Sequence, residues 1–221
     1  DWSSDVCSSD LMNFEIIDNA YQVTVLLICM LLSAWLGIRK KNRGFIMLSF
    51  GYGCFMMGTL FFVLYLAILG RVPQIFYTCE ISWLAAYLFF LSLLLLRKES
   101  EPLSFSAIAL IPAVIVAVVV LLFKIFGPAL LPCIACAITL GAITYLASCR
   151  ILRDRKNGRR TSWLDHCFLL CVFLQLGVYI VSIFMTDYQH FNLYFAIDML
   201  LTAMLAALLP LLYREVLHDL H

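Results

Sequence analysis

The sequence predicts an all-α polytopic membrane protein, a bundle of seven transmembrane helices, and three observations carry that prediction. Of the 221 residues, 64% are hydrophobic and only 13% charged, with a mean hydropathy of +0.98. A soluble domain of this length has no interior large enough to hide so much apolar surface. Seven stretches approach the ~20 apolar residues that cross a hydrocarbon layer of ~30 Å; they lie near 20–38, 46–69, 79–96, 105–126, 129–148, 163–185 and 192–212. The basic residues alternate in step with them. When the connections are assigned to alternate sides, 13 of the 15 Lys and Arg fall on one side, and only Arg71 and Lys124 on the other.

Each stretch has its own signature. The first ends in Arg39, Lys40, Lys41 and Arg43. The second contains GYGCFMMG, in which Gly51 and Gly58 are seven apart and share a face that lets a neighbouring helix approach closely. With no strand before it and no Lys-Ser/Thr after it, this is not a phosphate loop. The third places Glu80, Trp83 and Tyr87 at i, i+3 and i+7, then ends in Arg97 and Lys98. The fourth and fifth are divided only by the turn-forming Phe126, Gly127 and Pro128, so a six-helix count stays open there. The fifth carries Cys133 and Cys136 as a single CxxC, which without a second pair predicts no metal site. The polar run 149–162 that follows predicts at most a short amphipathic stretch, and Asp165 and His166 beyond it are expected to cap the sixth helix or pair with Arg159 or Arg160. On that helix Cys171, Gln175, Tyr179 and Ser182 run up one face. On the seventh, Tyr194, Asp198 and Thr202 share a face at spacings of four.

Residues 1–11, DWSSDVCSSDL, have nothing in common with the apolar chain after Met12. Back-translated, they resemble a widely used sequencing adapter read in frame, and they are read as a cloning or sequencing scar. Residues 12–221 are expected to form a single transmembrane domain. The basic side marks the cytoplasm, which places the amino terminus outside and the carboxyl terminus inside a cell membrane, of bacterial inner-membrane type. The basic connections serve topology and anionic lipid; no nucleic-acid partner is expected. No lysine in the seventh stretch could hold retinal, which sets the chain apart from microbial rhodopsins, and no other family pattern covers enough of it to name one.

Asp198 is the focus of the functional reading. An ionisable group about two turns into a membrane helix must face protein or water. Tyr87, Tyr179 and Asp198 all fall ~10 Å below the outer surface at 1.5 Å per residue, so the three polar stripes are expected to converge. Asp198, Tyr194, Thr202, Tyr179, Gln175, Glu80, Trp83 and Tyr87 would then build an outward-open polar pocket, rimmed by Asp187, Tyr188, His190 and Asn192, with Lys124 opposite. Beside this stand the plainer alternatives: interhelical glue for Asp198, and interfacial aromatics for Trp83 and Tyr188. No nucleophile with its base is visible, so an enzyme is not expected, and neither is a cofactor. Three functions remain open. The first is a bacterial ligand-sensing domain that takes a small molecule from outside and acts on a cytoplasmic output partner. The second is a small-solute or proton-coupled transporter in a 3+1+3 arrangement, and the third a structural membrane subunit with no ligand.

Overall fold

The computed structural model describes residues 14–69, 77–97, 105–124, 130–185, 188 and 190–218. Among them are seven helices and no strand: α1 Phe14–Lys40, α2 Arg43–Leu69, α3 Tyr77–Leu96, α4 Ala107–Lys124, α5 Leu130–Lys156, α6 Trp163–Phe184 and α7 Leu193–His218. Six are long and apolar enough to cross a membrane; α4 is the shorter one. Residues 1–11 and the turn at Phe126, Gly127 and Pro128 lie outside the described residues.

Several helices outrun the apolar stretches that announce them. α1 begins at Phe14 rather than near 20, α5 continues through Lys156 rather than stopping near 148, and α7 reaches His218 rather than 212. The added turns carry charge, which a search for apolar runs discards but a helix tolerates where one face is buried or wet. Gly158, at φ 64°, ends α5 in the left-handed conformation, and Arg159 N closes back on Asp154 O at 2.8 Å. The α1–α2 turn is equally tight. Lys41 takes φ 50°, and the Asn42 side chain accepts from Gly44 N at 2.8 Å to start α2.

The helices close into a ring of six in the order α1, α2, α3, α5, α6, α7 and back to α1, while α4 stands outside, packed on α5 and touching α6. Lys40 sits over the Tyr213 ring and Arg97 reaches Asp165 and Glu215, so the ends of α1, α3 and α7 and the start of α6 meet at one end of the bundle. Apart from Lys124, every described lysine and arginine belongs to this basic end. Neighbours in the ring are antiparallel except at two joins, α3 with α5 and α7 with α1, where both helices run towards the basic end. Tyr52 fills the middle of the ring. It is fully buried and donates to Leu205 O across the interior at 2.7 Å, with Phe90 packed against it and Phe168 against Phe90.

The surface is inside-out relative to a soluble protein. On α1 the buried stripe is Glu15, Asp18, Gln22, Leu26, Cys29, Ser33 and Gly37, whereas Ile28, Leu31, Leu32, Trp35 and Ile38 face outward. Polar side chains can be satisfied only against one another when the outer solvent is hydrocarbon. The chain is an integral, multi-pass membrane protein whose apolar faces contact the lipid bilayer.

Candidate functional site

At the end of the ring opposite the basic residues lies a cavity of about 410 Å³. α1 contributes Glu15, Asn19 and Gln22; α2 contributes Phe55 and Phe62; α3 contributes Glu80 and Trp83. α6 lines it with Gln175, Val178, Tyr179 and Ser182, α7 with Tyr194 and Asp198, and Tyr188 closes over from the connection between them. Six of the eight residues singled out from sequence, Asp198, Tyr194, Tyr179, Gln175, Glu80 and Trp83, therefore surround one space. Thr202 and Tyr87 do not reach it. Thr202 is buried one turn below Asp198 and accepts from Gln22 Nε2 at 3.0 Å. Tyr87 is buried beneath the floor and donates to Gln175 Oε1 at 2.6 Å, which fixes that amide across the ring.

The expected rim differs in its details. Tyr188 does cover the cavity, and burial raises its phenol pKa above the ordinary value. Asn192 instead caps α7, its Oδ1 accepting from Tyr194 N at 2.9 Å and Phe195 N at 3.4 Å. His190 does not line the cavity, and Asp187 and the Lys124 side chain lie outside the described residues.

Helix α1 is the element that sequence reasoning left out. Glu15, Asp18 and Gln22 stand at i, i+3 and i+7 on its buried face. Gln22 is the hub of a chain of bonds through four helices. Trp83 Nε1 donates to Thr59 Oγ1 at 3.4 Å, Thr59 donates to Gln22 Oε1 at 2.5 Å, and the Gln22 amide N–H groups turn to Thr202 and to both oxygens of Asp198, the latter at 3.5 Å. Asp18 stands one turn before Gln22 on the same buried face of α1, on the side of the ring where Gln22 meets Asp198. Asp18 is 1% exposed, and its Oδ2 has no donor beside it. No lysine, arginine or histidine is among the described residues lining the cavity, and no described group of three or more His, Cys, Asp or Glu is placed to hold a metal ion.

A second polar assembly occupies the basic end. Arg97, just past α3, binds Asp165 of α6 with Nη1 at 2.5 Å and Glu215 of α7 with Nη2. Arg150 of α5 donates to Leu94 O at 2.5 Å and stands 3.8 Å from Asp165. Burial works against the Arg97 charge, but the two carboxylates more than offset it and hold its pKa above the ordinary value. This corrects the expected pairing of Asp165 with Arg159 or Arg160. Asp165 lies on the buried face of the first turn of α6, aimed into the ring, whereas those arginines sit in the exposed connection before it. His166 instead contacts Ser162 O at 2.8 Å, while Ser162 Oγ caps α6.

Comparison with protein-family models, with curated proteins and with solved structures returns no match.

Proposed function

We propose that this is a seven-span, ligand-sensing membrane protein whose acidic, aromatic cavity opens to the outer side. The observation that carries the reading is the separation of charge along the bundle: basic residues gather at one end and the cavity lies at the other. Basic excess marks the cytoplasmic side, so the cavity faces out, the amino terminus is outside and the carboxyl terminus inside. α4 counts as the seventh span. It runs antiparallel to α5 from the Tyr145 hydroxyl near Ser106 to Cys133 near Val120, and its 18 residues rise ~27 Å. Residues 12–221 then act as one domain that binds rather than catalyses. The route to the cytoplasm is α7, a single helix with Asp198 in the cavity, Pro210 along its length and Glu215 in the ion network below.

A transporter is the second reading, and one feature favours it. In the ring, α1–α3 and α5–α7 are joined by two parallel contacts at opposite sides, with α4 outside, which is the arrangement a duplicated 3+1+3 protein would take. Ligand uptake into proteoliposomes separates the two, since a sensor leaves the solute outside.

Labelling tests the outward opening. With the native cysteines retained, Asn19→Cys is expected to gain reaction with a membrane-impermeant thiol reagent added to intact cells, over the parent chain. Labelling that appears only after the membrane is permeabilised would reverse the orientation and end the reading.

A further inference from the structure

From the chemistry of this cavity we infer that its ligand is a small organic cation, a protonated or quaternary amine, seated with its charge on Asp198 and its body against the aromatic wall. The inference rests on the outward-facing cavity proposed above and names what that cavity takes.

Three observations converge on it. The first is an excess of acceptors. Asp198 presents two carboxyl oxygens at the cavity whose one described donor is Gln22 Nε2, at 3.5 Å from each, and Asp18 Oδ2, a turn before Gln22 on the buried face of α1, has no donor. The negative charge of an ionised Asp198 at this wall is one that a monovalent cation neutralises. Burial without that neutralisation is costly in a membrane interior. The second is the wall. Trp83, Tyr179, Tyr194 and Phe55 line the same space, and aromatic faces with carboxylates beneath are the surroundings that hold an ammonium group. The third is size. About 410 Å³ is far more than a proton or a metal ion needs, and is within the range of small-molecule sites. A hard metal cation would also want six or more oxygens around one point, whereas the Gln22 carboxamide presents its N–H side to Asp198 and its oxygen to Thr59.

The test uses the full chain in nanodiscs and three probes, propylammonium, 2-phenylethylammonium and tetramethylammonium, each against its neutral isostere (butane, 2-phenylethanol-type alcohols, neopentane analogues bearing a hydroxyl for solubility). Binding is read by calorimetry and by thermal stabilisation. At least one amine is expected to bind about tenfold or more tightly than its neutral partner, a difference of ~1.4 kcal/mol. Asp198→Asn keeps the shape of the side chain and should abolish that preference while the neutral probe is unaffected. Should the variant not fold, the comparison on the parent chain decides alone. Equal binding of amine and alcohol would overturn the charge assignment and leave the cavity reading intact. Binding of neither, with Asn19→Cys still labelled from outside, would overturn the amine and keep the outward opening; loss of that labelling removes both.

Discussion

Arg97→Met is expected to destabilise the bundle by about 3–5 kcal/mol, the scale on which removing one partner leaves a buried charge uncompensated. Asp165 is 1% exposed, and once Arg97 is gone its nearest cation is Arg150, whose Nη1 stands 3.8 Å away while its Nη2 is held on Leu94 O. Glu215 loses its ion pair with Arg97 in the same step. Lysine should rescue little, because two separate guanidinium nitrogens serve two carboxylates on different helices, and an ammonium is a single point. The double variant Arg97→Met with Asp165→Leu should recover most of the loss, since an apolar replacement of the whole pair removes the stranded charge. Unfolding in mixed micelles by added denaturing detergent measures each. A single-variant loss under ~1 kcal/mol would mean that the network is solvated and carries little.

Gly51→Val should be nearly as damaging, by about 1–3 kcal/mol or more, for a steric reason. A Cβ at Gly51 would fall 2.7 Å from Phe90 Cδ1 and closer to Cε1. Phe90 is 1% exposed and packed by Tyr52, Tyr87 and Phe168, so its ring has nowhere to move. Gly53→Val is the control: its Cβ would meet only the Met30 sulfur at 3.1 Å, on a side chain that can turn aside. Equal thermal shifts for the two variants would show that the effect comes from valine in a helix and not from the α2–α3 contact.

Much of this fold is legible in the sequence because membrane helices must be long, apolar and bounded by charge. The Gly51 and Gly58 spacing also reads correctly as close approach, since both positions face α3, against Phe90 and Trp83. What escapes has physical causes. Glu15 and Asp18 fall outside the apolar run that marks the first helix, so hydropathy cuts off the turn that carries them, although their spacing with Gln22 was available. The partner of Arg97 is 68 residues away on α6, and no local pattern predicts it. It follows only once α3 is known to adjoin α5 rather than α4. The same ignorance of ring order hides the fact that Tyr87 and Thr202 lie under the cavity floor, since equal depth along three helices says nothing about which residue each neighbour covers.

The displacement of α4 from the ring governs how the molecule can move. Helices α1–α3 and α5–α7 form two halves, and the only covalent path from one to the other runs through a helix that takes no part in closing the circle. Nothing in the backbone therefore holds the halves in register. That task falls to side chains: at the cavity end Gln22 with Asp198 and Thr202, in the middle Tyr52 with Leu205 O and Tyr87 with Gln175, and at the basic end Lys40 over Tyr213, Arg150 with Leu94 O, and Arg97 with Asp165 and Glu215. A molecule that competes with Gln22 for Asp198 acts on a clasp with no hinge of chain behind it. A change of contact there works on the cavity end of the seam while the Arg97 and Arg150 contacts keep the halves joined at the basic end, and α4 stays packed on α5.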